Sequence, residues 1–253
     1  MSGESHTPSF AVVIPMFNEE AGVEACVKKV CTELDRLSGR SALLVVNDGS
    51  LDRTGEILHR LAPAHPKLKV VTHPANRGYG RALRSGVEEA ARGGYDYVLF
   101  MDSDLTNDPA DIPRFFAEMA RGKDVIKASR FAGHGGMNGV PLRRALISRL
   151  GNRIARALFS VGVRDCTNGF RAVRVALLAQ MNLRENGFPI IVEELYQLKF
   201  VAESYAEVPV VLTSRKADQR PTSFTYKPAT FCKYFWYAAK ARLGVRPKTG
   251  LKI

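Results

Sequence analysis

The sequence predicts an α/β fold in which a mostly parallel central sheet is flanked by helices. Two features of the chain point there. Apolar, β-rich runs alternate three times with helical segments before a fourth strand, and strands joined through helices pair in parallel with right-handed crossovers. Three of these strands end in polar loops. A parallel sheet gathers such loops on one edge, where open α/β sheets bind their ligands.

The elements follow in order. Phe10 to Ile14 reads as a buried first strand closed by Pro15, and Met16-Phe17-Asn18 as a loop. Glu19 is expected to open a helix whose apolar positions Val23, Cys26, Val27, Val30 and Leu34 keep helical spacing. Ala42 to Val46 is the second strand, ending in Asn47-Asp48-Gly49-Ser50, and Asp52 can cap the helix through Ile57, Leu58 and Leu61. Leu68 to Val71 is a third strand. Asn76-Arg77-Gly78-Tyr79-Gly80 then turns into a helix from Arg81 to Ala91. The fourth strand, beginning near Tyr95, ends in Asp102 and Asp104.

The second half is less regular. Asp108-Pro109 starts a helix through Phe115, Phe116 and Met119, and residues 124–130 read as a strand. The glycine-rich run 132–139 is expected to be mobile. A basic helix follows, with Leu146, Leu150 and Ile154 on one side and Arg144, Arg149, Arg153 and Arg156 largely off it. Residues 165–171 read as a polar turn, Ile190 to Phe200 as an apolar helix and Val208 to Leu212 as a late strand. The expected organisation is a catalytic domain over 1–223 and a basic, aromatic segment over 224–253, helical and packed on the domain or at a membrane surface.

Composition narrows the partners. The 253 residues are 45% hydrophobic and 25% charged, as in an ordinary globular protein with room for one large or two small domains. Their 37 Lys and Arg against 25 Asp and Glu leave a formal +12, which favours anionic partners. Cys26, Cys31, Cys166 and Cys232 form no C-x-x-C pair and fit a reducing compartment. Residues 1–9 carry no apolar signal core, and no window holds the roughly 18 apolar residues a spanning helix needs. A cytoplasmic protein, free or peripheral on a membrane, is expected.

The chemistry centres on Asp102 and Asp104. Positions i and i+2 leave a strand on one face, so both carboxylates project together from the strand's carboxyl end. Hard oxygen ligands without nearby His or Cys suit Mg2+ or Mn2+ better than zinc. Asp48 can accept hydrogen bonds from a base or ribose. Neither G-x-G-x-x-G after the first strand nor G-x-x-x-x-G-K-[ST] is present, so dinucleotide and P-loop sites are set aside. A metal-held nucleotide diphosphate remains.

Five stretches in order carry a resemblance: residues 12–20, Asn47-Asp48-Gly49-Ser50 with Asp52 and Thr54, Asn76 to Gly80, Met101 to Leu105, and Asp165 to Arg171. Together they resemble family 2 glycosyltransferases, nearest to the branch that mannosylates dolichyl and other polyprenyl phosphates. The resemblance runs from about Phe10 to Arg215. It implies a GT-A fold with a Rossmann-like sheet, a nucleotide-sugar donor, a divalent metal and an inverting transfer. It also implies roles. Pro15, Phe17, Glu19, Asp48, Arg77 and Asp102 would bind the nucleotide, and Asp102 with Asp104 the metal. Arg130, Arg144, Ser148 and Arg215 would face the acceptor phosphate.

Three departures fall near the acceptor side. Thr106 stands where that branch usually carries glutamine, Asn168 where serine is frequent, and residues 216–223 replace a glycine-serine-lysine element. The expected reaction is transfer of a hexose, foremost mannose from GDP-mannose, to a polyprenyl phosphate. Donors such as UDP-glucose, or a soluble hydroxyl acceptor, are the alternative. A hydroxyl would require a carboxylate base, for which Asp165, Glu193 and Glu194 are the candidates. The basic helix beside a lipid-phosphate site is expected to meet a membrane surface, or a membrane-protein partner could recruit the chain. A nucleic-acid binder would explain +12 but not the strand-end carboxylates, so no nucleic acid is expected.

Overall fold

The computed structural model describes residues 7–139, 142–213 and 228–248, with the side chains of 142–145 and 228 outside that description. In chain order the elements are β1 (Phe10–Met16), α1 (Val23–Asp35), β2 (Ser41–Asn47), α2 (Thr54–Leu61), β3 (Leu68–Thr72), α3 (Tyr79–Arg92), β4 (Tyr97–Phe100), α4 (Ile112–Ala120), β5 (Val125–Ser129), β6 (Gly136–Met137), α5 (Leu142–Phe159), β7 (Arg171–Arg174), α6 (Val175–Leu178), α7 (Ile190–Leu198), β8 (Tyr205–Pro209), β9 (Val211–Leu212) and α8 (Pro228–Arg242).

Seven strands form one sheet in the order β3-β2-β1-β4-β7-β5-β8. The first four pair in parallel, as the repeated strand–helix pattern requires. β1 shows why its sequence is uninterruptedly apolar. Val12 and Ile14 face one buried layer, with α1, α2 and α4. Ala11 and Val13 face the other, with α3, α6 and α7. A strand buried on both faces has no polar alternation to display.

β1 runs two residues past its expected end, through Pro15. Met101 N–H donates to Val13 O, so odd-numbered residues of β1 turn their backbone groups toward β4. β4 pairs with β1 only as far as Phe100, so the N–H that proline lacks would have met no strand partner. The helix expected from Glu19 begins at Val23 instead. Glu19 O accepts from Gly22 and Val23 N–H in a turn, and Glu19 N–H goes to Thr54 Oγ1 at 2.9 Å. α3 starts at Tyr79 rather than Arg81, after Gly78 at φ +93°, a left-handed conformation that glycine adopts without strain.

β7 was not foreseen. It lies antiparallel between β4 and β5, placing Arg171 opposite Phe100 and Lys127. Because it runs opposite to β4, its beginning lies at the carboxyl end of β4. The 165–170 loop is thereby delivered to the edge where Asp102 emerges.

α8 packs on α5 and α7, with Tyr237, Ala238 and Ala241 buried in a third apolar cluster beside Phe159, Cys166 and Leu195. The opposite result holds on the outer faces. Leu146, Ile147, Leu150 and Ile154 on α5 and Phe231, Phe235 and Trp236 on α8 are exposed. Phe224 and Tyr226 lie outside the described residues. Among the described residues, no helix is long and apolar enough to cross a membrane.

Candidate active site

A cleft of about 520 Å³ opens at the carboxyl ends of β1, β2 and β4. Pro15, Phe17, Glu19, Asp48, Asp102 and Asp104 all line it, so six of the residues expected at a nucleotide–metal site converge from three strand ends. Arg77 arrives differently. Its backbone N–H donates to Asp48 Oδ1 at 2.9 Å, while its side chain is exposed and outside the cleft wall.

The three aspartates of the cleft are oriented by neighbours. Asp48 accepts from Gly78 N–H on Oδ2 at 2.8 Å and faces His73 Nδ1 on Oδ1 at 2.6 Å. Asp102 Oδ1 accepts from the Tyr79 hydroxyl at 3.1 Å, and the Tyr79 ring stacks on Phe188 at 4.6 Å. Burial, and next the Asp102 charge, push the Tyr79 phenol well above its ordinary pKa, so it remains a donor. Asp104 Oδ1 accepts from both Thr106 N–H at 3.0 Å and Thr106 Oγ1 at 2.8 Å. Thr106 therefore fixes the second carboxylate, and its own carbonyl accepts from Thr213 N–H and Oγ1.

Among the described residues no three His, Cys, Asp or Glu cluster as a metal cage. Two carboxylates in a cleft could hold a Mg2+ or Mn2+ ion whose other ligands would come from phosphate and water. The donor set fits such a cation.

A second, more apolar cavity of about 470 Å³ lies between α5 and α8. Arg130 and Ser148 line it with Ile147, Ile154, Phe231 and Phe235. Thr167 and Tyr234 belong to the walls of both cavities, which therefore meet there. Arg144 lies in the first turn of α5 with its side chain outside the described residues, and Arg215 also lies outside them.

The 165–170 loop supplies the junction. Asp165 is fully buried and grips Arg130 through Nε–Oδ2 at 2.7 Å and Nη2–Oδ1 at 2.8 Å. Burial alone would raise its pKa, but hydrogen bonds from Arg130 and that residue's charge outweigh burial and hold it below the usual range. Arg130 Nη2 and Asn152 Nδ2 both donate to Thr167 Oγ1 at 3.0 Å. With both lone pairs filled, the Thr167 hydroxyl hydrogen is left to point elsewhere.

The other two candidate bases are committed structurally. Glu194 is buried against Arg171, with both contacts at 2.6 Å, and Arg171 lies over the Phe100 ring at 4.2 Å. Glu193 is also buried and accepts from Arg184 and Glu185 N–H. Neither residue lines the cleft.

Tyr79, Thr167, Phe188 and Tyr234 were not singled out as site residues from sequence. Tyr79 and Thr167 sit within recognisable motifs, so position was a usable signal. Phe188 and Tyr234 reach the cleft only through tertiary packing of the segment before α7 and of α8.

Comparisons with known proteins agree with this geometry. The glycosyl transferase family 2 model matches residues 11–181. Polyprenol monophosphomannose synthase of Mycolicibacterium smegmatis is 30% identical over 81% of this chain and 77% of its own. Undecaprenyl-phosphate mannosyltransferase of Micrococcus luteus is 28% identical over 83% and 86%. Dolichol-phosphate mannosyltransferase of Pyrococcus furiosus is 30% identical over 79% of this chain but only 55% of its own length. In fold, the chain resembles glucosyl-3-phosphoglycerate synthase of Mycobacterium tuberculosis in complex with Mn2+, UDP and glucosyl-3-phosphoglycerate. That match has TM-score 0.63 and 22% identity, covering 97% and 83% of the two chains. The same enzyme with Mg2+ and UDP matches at TM-score 0.64 and 21% identity, again covering 97% and 83%. With a strand-end cleft of this build and a family match across residues 11–181, the chain belongs to glycosyl transferase family 2 and is a glycosyltransferase.

Proposed function

We propose that the chain transfers a hexose, foremost mannose from GDP-mannose, to a polyprenyl phosphate at a membrane surface, by one inverting displacement. The carrying observation is that the polar cleft and the apolar cavity meet at Thr167 and Tyr234, with Arg130 beside the meeting point. A polyprenyl phosphate has a charged head and an apolar tail, and this pair of cavities offers a place for each. The relatives that match most of the chain carry names of that reaction class.

In this mechanism the nucleotide diphosphate lies along Asp48, Asp102 and Asp104. A divalent cation bound there would offset the charge that develops on the leaving diphosphate. Arg130, held from behind by Asp165, presents cationic donors to the acceptor phosphate, and Thr167 adds a neutral donor. A phosphate monoester has a second pKa of about 6 and attacks as an anion without a general base. This suits a site whose candidate bases are already engaged: Asp165 by Arg130, Glu194 by Arg171 and Glu193 by backbone N–H groups.

The exposed apolar faces of α5 and α8, with Arg149, Arg153, Arg156 and Lys233 beside them, support peripheral binding to the leaflet that holds the acceptor. The cytoplasmic leaflet is the proposed one, because nucleotide sugars are the donors. Incubating the purified chain with GDP- and UDP-sugars, short polyprenyl phosphates and Mg2+ or Mn2+ tests the proposal. A lipid-linked sugar formed from GDP-mannose is expected. A product only with a soluble hydroxyl acceptor, or none with any donor, would overturn it.

A further inference from the structure

Behind the cleft lies a buried polar string that the mechanism above does not use. His73, Asp48 and Ser85 are all nearly inaccessible to solvent. His73 Nδ1 lies 2.6 Å from Asp48 Oδ1, and Nε2 lies 2.9 Å from Ser85 Oγ. A carboxylate oxygen accepts, so the partners assign the Nδ1 hydrogen to the Asp48 contact. In the neutral ring Nε2 then accepts from the Ser85 hydroxyl. His73 itself is not part of the cleft wall, whereas Asp48 is.

The string limits what Asp48 can do. A carboxylate has about four lone-pair positions. On Oδ1, His73 Nδ1 and Arg77 N–H occupy two, and on Oδ2, Gly78 N–H occupies a third. One acceptor position, on Oδ2, remains for a ligand in the cleft. Arg77 and Gly78 belong to one backbone turn whose N–H groups hold both oxygens of the carboxylate. His73 takes the second position on Oδ1, which a ligand could otherwise use.

We propose that His73 is a positioning residue for nucleoside recognition: by occupying the second acceptor position on Asp48 Oδ1, it leaves one Oδ2 lone pair to meet a single N–H or O–H donor, and so restricts which base edges dock there. The inference rests on the nucleotide-site reading of the cleft. Guanine would place one of its two adjacent donors, N1–H or the 2-amino group, on that position and leave the other to a different acceptor, whereas uracil would place its single N3–H there.

The test measures affinities of the full chain for GDP, UDP, CDP and ADP with Mn2+, for the parent protein, H73A, H73N and H73Q. An Asn amide nitrogen falls near the histidine Nδ1, and a Gln amide nitrogen falls near Nε2. H73N should therefore preserve both affinity and base preference. H73A and H73Q should bind the preferred diphosphate about 10-fold more weakly and show a narrowed preference. In turnover the same two variants should raise the donor KM more than they lower kcat. Comparing H73Q with H73N keeps the result independent of folding losses, since both retain a polar side chain. An unchanged preference in H73Q, or an H73N variant as impaired as H73Q, would overturn the positioning role alone. A parent protein that binds none of the four diphosphates would overturn the nucleotide reading and this inference together.

Discussion

The guanidinium of Arg130 is clasped by Asp165 through two hydrogen bonds of 2.7 and 2.8 Å, and the carboxylate making them has no solvent exposure. The pair sits at the meeting point of the two cavities. Asp165 thus acts through an arginine rather than on substrate. D165N is expected to lower kcat/KM for polyprenyl phosphate by about 100-fold, because misdirecting a positioned cation by a fraction of a bond length is costly. Nucleotide affinity should hold, which titration with the diphosphate checks. A matching loss of nucleotide affinity would show that the loop, not Arg130, had been disturbed.

Thr106 orients Asp104 through both its N–H and its hydroxyl. T106V removes only the hydroxyl bond and should raise the Mn2+ concentration needed for half-maximal turnover by about 10-fold. T106S should restore it. Identical metal dependence in all three proteins would remove Thr106 from the site.

Gly80 packs so closely on the segment before α7 that an added Cβ would overlap the Glu185 carbonyl oxygen. G80A should cost about 2 kcal/mol in stability through forced repacking. It should also weaken nucleotide binding, because the displaced segment carries Asn186 and Phe188 of the cleft wall. Urea denaturation and diphosphate titration measure the two effects separately.

Leu150 and Trp236 are exposed, at 62% and 52%, and neither lines either of the two cavities described. Replacing either by Glu should remove about 2 kcal/mol of apolar transfer energy, and so weaken partitioning onto anionic vesicles by roughly 30-fold. Turnover with a short, detergent-dispersed acceptor should persist. Co-sedimentation with vesicles provides the measurement.

Lys127 is buried, and burial followed by repulsion from Arg171 lowers its pKa from 10.5 to about 8. Between those values the unfolded chain holds a proton on this lysine that the folded chain has released. The unfolded state binds more protons there, so this group's contribution to stability rises with pH through that window. Below pH 8 it is a fixed cost. K127M should therefore flatten the stability profile between pH 8 and 10.5, as chemical denaturation across that range will show.

The parallel half of the sheet and its carboxylate-bearing edge were legible because both depend on local pattern. Short, β-branched apolar runs such as Val12-Val13-Ile14 and Leu43-Leu44-Val45, bounded by turn residues, read as doubly buried strands, and Asp102 and Asp104 follow one directly. β7 was not legible, since Arg171-Ala172-Val173-Arg174 places charges at both ends of a short strand. Arg171 is tolerated there because Glu194, 23 residues away, neutralises it in the core. No local window records such a pair. Arg130 and Ser148, both expected at the acceptor, line one cavity, whereas the contributions of Thr167 and Tyr234 depend on how α5, α7 and α8 meet.

The two cavities, which share Thr167 and Tyr234 as wall residues, also bear on how turnover ends. One opens among carboxylates and hydroxyls, the other among leucine, isoleucine and phenylalanine side chains. In the proposed reaction the spent nucleotide is water-soluble and the glycosylated lipid is not. Each product then has its own exit, and neither must pass through the other's compartment. Build-up of one should leave departure of the other undisturbed, so turnover would be throttled separately by the aqueous nucleotide pool and by the lipid pool in the leaflet.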